Sequence, residues 1–142
     1  MKKIGILTGG GDCPGLNAVI RAVVRKAVDE HGLECVGILR GWLGLVDGLT
    51  CPLTLSEVSG ILPRGGTILR TSRTNPFATP DGAARIVENM KRFKLDAVIA
   101  IGGDDTLAVG QRLHHEHDIP VVGIPKTIDN DVPGTEYAFG FD

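Results

Sequence analysis

Apolar residues in this chain fall into short runs separated by glycine-rich and polar loops. The runs at residues 4–7, 34–39, 95–101 and 119–124 are short and largely apolar, which predicts strands, the last of them buried. Residues 16–29 and 80–93 carry apolar positions at helical spacing. The second begins with Pro80 and Asp81 in its first turn, as helix starts do. Gly102-Gly103-Asp104-Asp105-Thr106 opens a further helix running to about His115. Residues 53–62 form a weaker amphipathic segment, expected as a short helix broken by Pro63-Arg64-Gly65-Gly66-Thr67. Val132-Pro133-Gly134-Thr135 reads as a turn. Strands and helices alternating at these lengths predict an α/β fold, with a parallel sheet covered by helices on both faces.

Composition narrows the partners. The chain has 142 residues, 42% hydrophobic and 23% charged, the balance of one soluble domain. A net charge of −2 argues against nucleic acid or an anionic membrane as a bulk partner, so any anion site must be local. Three cysteines, Cys13, Cys35 and Cys51, share no metal-ligand spacing and read as free thiols in a reducing cytoplasm. No run approaches the ~20 apolar residues of a membrane span, and Met1-Lys2-Lys3 leads straight into a strand rather than a signal peptide. His114, His115 and His117 cluster at a helix end, where they complement the dipole rather than mark a metal. Trp42 has two readings, a core residue or a platform for a base.

The polar chemistry sits where strands end. Residues 8–15 (Thr-Gly-Gly-Gly-Asp-Cys-Pro-Gly) join a strand to a helix, a geometry in which loop amides and a helix N-terminus face an anion. A tight structural turn is the alternative, because the spacing matches neither the dinucleotide fingerprint nor the Walker loop. Arg70, Thr71, Ser72, Arg73, Thr74 and Asn75 form the densest run of donors, suited to phosphate oxygens or to a solvated basic loop. The junction at Gly102 adds Asp104 and Asp105, carboxylates of the kind that hold Mg²⁺ against a phosphate. Pro125-Lys126-Thr127-Ile128-Asp129-Asn130-Asp131 follows the last strand. On an extended backbone Asp129 and Asp131 would share a face, Asp129 as a general base and Asp131 positioning substrate or metal, with Lys126 neutralising an anion. A parallel sheet brings all of these to its carboxyl edge, where ligands bind. The combined inventory suits phosphoryl transfer.

These motifs, Gly9 to Asn17, Pro63 to Thr67, Gly102 to Thr106 and Pro125 to Asp131, resemble the motif set of the 6-phosphofructokinases in order and spacing. The Gly-Gly-Asp junction alone also occurs in lipid and NAD kinases. The resemblance implies a Rossmann-like amino-terminal domain and phosphoryl transfer to the 1-hydroxyl of fructose 6-phosphate with Mg²⁺, a cytoplasmic glycolytic reaction. It assigns Asp129 as the base, Thr127 and Asp131 as helpers at the transferred group, and Thr127, Ile128 and Asp129 as substrate contacts. Gly11, Arg73, Thr74, Gly103, Asp104, Asp105 and Thr106 would hold the phosphoryl donor, and Asp104 the metal.

Members that use ATP usually have Gly where Asp105 and Lys126 stand. Asp105 would repel a nucleotide's α-phosphate region and Lys126 would add charge for a compact donor, which resembles the pyrophosphate-dependent or mixed-substrate, actinobacterial-like branch. Some relatives with this Lys use ATP, so ATP is the alternative donor. A non-catalytic phosphate-binding module is the alternative of another class, and its sign would be loss of Asp129 or Asp104; both are present. Arg21 and Arg25 match basic effector positions of regulated relatives, but Leu55 and Gly60 stand where those carry Arg and Asp, so weak allosteric control is expected. Family chains are longer. Residues 1–142 are therefore expected to be the donor-binding part, lacking the sugar-phosphate part and inactive alone, with a homodimeric or homotetrameric full form.

Overall fold

A computed structural model describes residues 2–141; Met1 and Asp142, at the ends of the resemblance, lie outside the described residues. The strands are β1 (Lys3–Thr8), β2 (Glu34–Ile38), β3 (Thr50–Pro52), β4 (Ala97–Gly102) and β5 (Val121–Pro125). They form one sheet in the order β3-β2-β1-β4-β5. β1 pairs in parallel with β2 and β4, and β4 in parallel with β5. The helices are α1 (Leu16–Arg25), α2 (Trp42–Asp47), α3 (Gly82–Phe93) and α4 (Asp104–His117). A π-helical segment, Lys26–Glu30, prolongs α1, so the helix predicted to residue 29 changes pitch in its last turns.

Side chains alternate across the strands and so feed two cores. Ile4 and Ile6 of β1 point to one face, where Leu16, Ile20 and Val24 of α1 cover them at i, i+4 and i+8. Leu7, with Val98 and Ala100 of β4, points to the other, under Ile86 and Met90 of α3 and Val109 and Leu113 of α4. Helices on both faces are thus present as expected. The sheet departs from wholly parallel at β3, which runs antiparallel to β2. The six-residue α2 is too short to cross the sheet, and Gly48 in a left-handed conformation (φ 72) turns the chain straight back.

Two local expectations are corrected. Residues 53–62 form turns and no regular helix: Leu53, Val58 and Ile61 enter the core, but Gly60 (φ 73) interrupts the segment before a second turn of helix can form. The run at 119–124 forms an edge strand, with Val122 60% exposed. Among the described residues β4 is its one strand partner, and α4 packs on the Val121–Gly123 side near Gly110 and Leu107 but leaves Val122 open, so an apolar sequence did not mean a buried strand. Among the described residues no helix is long and apolar enough to cross a membrane.

Candidate functional site

The chain leaves β1 toward β2 on one side and returns as β4 on the other. Such a reversal opens a crevice at the carboxyl ends of the strands. A cleft of about 730 Å³ lies there. The residues to which the resemblance gave a role line it: Gly11 from the first loop, Arg73 and Thr74 from the donor run, Gly103, Asp104, Asp105 and Thr106 from the start of α4, and Lys126, Thr127, Ile128, Asp129 and Asp131 after β5, whereas Arg70 and Thr71 of the donor run are not in its lining.

The inner end is built by packing. Thr106 is 5% exposed, and its side chain plugs the gap between two glycines. A Cβ on Gly9 would lie 2.5 Å from the Thr106 Oγ1, and one on Gly102 would lie 2.6 Å from its Cβ. The backbones of both loops can close on this hydroxyl only because both residues lack a side chain. The amides of Gly9 and Gly10 are engaged, donating to Ile101 O at 2.9 Å and Ser72 O at 3.2 Å. This corrects the picture of a loop whose amides all face an anion: its first two amides hold the fold. At Gly11 a Cβ would meet nothing within 4 Å, so the backbone there borders open space.

Lys126 is 6% exposed, and its Nζ donates to Gly11 O at 2.6 Å. The ammonium thus braces the first loop while standing in the cleft wall, a positioning task the sequence did not reveal. Its backbone N–H donates to Gly102 O at 3.0 Å, so one residue ties the three loops together. Beneath, Asn17 accepts from Ile68 N at 2.8 Å and donates to Arg64 O at 3.1 Å, anchoring residues 63–67 to α1. Thr8 Oγ1 donates to Arg70 O at 2.8 Å and shares a 2.9 Å bond with Thr67 Oγ1.

The loop after β5 is organised differently. Thr127 Oγ1 donates to Asp131 Oδ1 at 2.6 Å and accepts from Asp129 N at 3.0 Å. The backbone is not extended here, since Asn130 takes a left-handed φ of 51. Asp129 and Asp131 therefore line one cleft because the loop bends around the Thr127 hydroxyl, not because they alternate on a strand. Asp131 is bound by that hydroxyl, whereas no described residue donates to the carboxylate of Asp129, which is exposed. Thr127 N donates to Phe139 O at 3.2 Å, and the Phe139 ring lies 3.1 Å from where a Gly15 Cβ would be. Residue 139 thus supports both the loop after β5 and the start of α1.

Asp104 and Asp105 stand exposed in the first turn of α4. Among the described residues no three acidic, His or Cys side chains form a metal cage. An all-oxygen set of one or two carboxylates open to a phosphate nonetheless fits Mg²⁺, which completes its shell with phosphate oxygens and water. The three terminal histidines stay in the last turn of α4, where His114 Nδ1 is 3.1 Å from Ile119 O.

Trp42 is 3% exposed and its Nε1 donates to Thr106 O at 3.1 Å. Its core reading holds, and the platform reading is overturned. The outer wall holds residues that the sequence did not single out. Phe77 sits in a turn capped by Asn75, whose Oδ1 accepts from Phe77 N at 2.9 Å. The guanidinium of Arg112 lies 3.8 Å from the centre of the Phe77 ring. Their separation in sequence left no local signal.

Burial, against a smaller opposing pull from the Lys126 ammonium, pushes the Cys13 thiol upward. Burial, with the Glu34 carboxylate, pushes Cys35 to about 11, and Cys51 is raised chiefly by burial. All three are free thiols, as expected, and none is activated as a nucleophile.

Comparison with known proteins agrees with this geometry. The phosphofructokinase family profile matches residues 3–142. A pyrophosphate–fructose 6-phosphate 1-phosphotransferase of Streptomyces coelicolor is 58% identical over 99% of this chain and 41% of its own length. An ATP-dependent 6-phosphofructokinase of Halalkalibacterium halodurans is 50% identical over 100% of this chain and 44% of its own. The crystal structure of Pichia pastoris phosphofructokinase in the T-state superimposes with a TM-score of 0.90 at 33% identity, over 99% of this chain and 17% of that one. The chain thus spans about 41% of the length of the Streptomyces relative. With the family's motifs gathered around one cleft and its profile matched along residues 3–142, this chain belongs to the phosphofructokinase family.

Proposed function

We propose that this chain forms the phosphoryl-donor side of an enzyme that transfers a phosphoryl group to the 1-hydroxyl of fructose 6-phosphate, with pyrophosphate as donor. The observation that carries the reading is the meeting of Asp129, its Thr127–Asp131 brace and the two α4 carboxylates in one cleft beside Gly11 and Arg73. Asp129 takes the proton of the attacking hydroxyl, its carboxylate free of other described donors. Thr127 fixes the loop so that this carboxylate meets the incoming oxygen, and Asp131 holds the Thr127 hydroxyl. Ile128, 58% exposed beside them, is a further contact for the sugar phosphate. Arg73, Thr74 and the backbone at Gly11 and Gly103 bind donor oxygens, with Thr106 holding the loops in place. Asp104 would hold Mg²⁺, which when bound neutralises charge on the donor oxygens.

Pyrophosphate is favoured by Asp105, whose carboxylate stands exposed in the donor end of the cleft and repels a longer nucleotide chain. The Halalkalibacterium relative supports ATP as the second reading. The rest of the sugar-phosphate site would come from sequence beyond this chain, and the assembled enzyme would be a homodimer or homotetramer in the cytoplasm. Leu55, packed against the core, and Arg25, 3.2 Å from Asp29, leave little for an effector phosphate to grip, so weak allosteric control is part of the reading.

The test assays the whole polypeptide that carries this sequence with fructose 6-phosphate, Mg²⁺ and either pyrophosphate or ATP, alongside Asp105→Gly/Lys126→Gly. Pyrophosphate-only activity that shifts toward ATP in the double variant is expected. ATP-only activity in the parent would overturn the donor assignment, and no sugar phosphorylation with either donor would overturn the function.

A further inference from the structure

The proposed reaction needs two loops in register, the first loop beside the donor and the loop after β5 that carries Asp129. They leave β1 and β5, which the sheet separates by β4. The gap between them matters, because a misplacement of about 1 Å can cost roughly 10²-fold in rate. On the cleft side the gap is spanned by Lys126, whose Nζ donates to Gly11 O at 2.6 Å. A second tie lies at residues 138–140, none of which lines the cleft.

Gly140 is the centre of this tie. It takes a φ of 95, a left-handed value that any side chain makes costly. A Cβ there would lie 2.8 Å from Cys13 Sγ and 2.9 Å from Thr127 O. The backbone at residue 140 is therefore packed against both loops at one point. Cys13 is 4% exposed and belongs to the same core cluster as Leu16 and Ile20 of α1. Burial pushes its thiol upward, so it sits in this joint as a neutral spacer. The neighbouring residue reaches the same two loops by other atoms. Phe139 O accepts from Thr127 N, and the Phe139 ring lies against Gly15. Ala138, 4% exposed, seats the segment in the protein.

From this we infer that Gly140, seated between Cys13 and Thr127 O, couples the first loop to the loop after β5 and holds the donor grip and the base in register for transfer. The inference rests on the proposed function for the reaction that the register serves. Gly140 and Cys13 are outside the cleft lining and act through Thr127 and the first loop, so they are positioning residues. A residue that only stabilised the fold would lower the melting temperature without changing the rate per folded molecule. A register residue changes kcat, while each loop keeps its own shape and binds its own ligand as before.

The test uses the whole polypeptide with fructose 6-phosphate, Mg²⁺ and pyrophosphate. Gly140→Ala drives a methyl between Cys13 and Thr127 O, and is expected to lower kcat per folded molecule about 10- to 10²-fold with little change in either KM. Cys13→Ala opens the joint instead and is expected to lower kcat less. The double variant is expected to lose less than the product of the two single losses, because the new methyl then fills space the sulfur has left. An unchanged kcat in both single variants, a raised KM at constant kcat, or losses that multiply in the double variant would each overturn the inference. Amide hydrogen exchange reads the coupling without turnover, and on Cys13→Ala alone should Gly140→Ala fail to fold. This change in the first loop is expected to speed exchange of the Thr127 amide in the other loop roughly threefold or more, relative to the Val98 amide in β4. An unchanged Thr127 rate would overturn the coupling. A protein that phosphorylates no sugar but shows the exchange effect would sink the proposed reaction and keep the joint; sugar phosphorylation without the exchange effect would do the opposite.

Discussion

The inner end of the cleft and the loop that follows β5 make an instructive contrast. At the inner end Thr106 and Lys126 are 5% and 6% exposed, and three loops are joined through backbone contacts and two glycines without room for a Cβ. In the following loop Asp129 and Asp131 are exposed, Ile128 is 58% exposed, and the shape depends largely on one hydroxyl, that of Thr127. The first region is held by packing, which resists small displacements because interiors are close-packed. The second is held by hydrogen bonds at the surface, each worth about 0.5–1.5 kcal/mol net. A phosphate grip needs fixed backbone, whereas an acceptor-facing carboxylate must remain open to substrate. Under the proposed function, these two tasks account for the two constructions.

Substitutions can break each side of this contrast separately. The largest effect is expected for Asp129→Asn, which should lower kcat in the whole enzyme by about 10²–10⁴-fold as a lost general base. Its melting temperature should stay within a degree or two, because the carboxylate is exposed and bonds no described residue. A large drop in melting temperature would show that the loop is structural after all.

Gly102→Ala should act in the opposite sense. Its new methyl would lie 2.6 Å from the Thr106 Cβ, and overpacking of this kind costs about 1–3 kcal/mol. Denaturant unfolding should detect the loss, and Thr106→Ser in the same chain should return part of it by removing the Cγ2 that also crowds the site at 2.7 Å. Additive losses in the double variant would contradict the keystone role of Thr106.

Thr127→Val tests the brace. It removes the donor to Asp131 and the acceptor for Asp129 N, so kcat should fall roughly tenfold for about 1–2 kcal/mol of lost positioning. Stability should change less than in Gly102→Ala. Equal effects on both measurements would erase the distinction between the two regions.

The smallest effect at neutral pH comes from Cys35, far from both regions in β2. Its folded thiol titrates near 11 against an ordinary value of 9.0, chiefly through burial. The folded state therefore binds this proton more tightly. The stability this contributes is complete below pH 9 and is lost as pH rises through about 11. Cys35→Ala should flatten that part of the curve of melting temperature against pH, and an unchanged slope would exclude the thiol as its source.

Much of the site was legible in sequence because its residues are local to strand–loop–helix junctions. Gly9 and Lys126 follow strands of the parallel core and Gly102 ends one, and a parallel sheet delivers such junctions to one edge. Other features were not legible. β3 is three residues long and its antiparallel pairing follows from a turn at Gly48. Nor was the bend at Asn130 legible, because carboxylates at alternate positions fit an extended strand equally well.

The sequence alone determined the alternation of strands and helices, the carboxyl-edge gathering of polar loops and the identity of the candidate base, since these depend on local pattern and on the handedness of parallel connections. Only the tertiary structure decided that Trp42 is core, that β5 is an edge, that Lys126 braces Gly11 and that Arg112 covers Phe77. Each of these is a contact or an exposure set by what packs alongside. Side chains distant along the chain meet through the packing of the sheet and its helices, a relation that no single stretch of sequence carries.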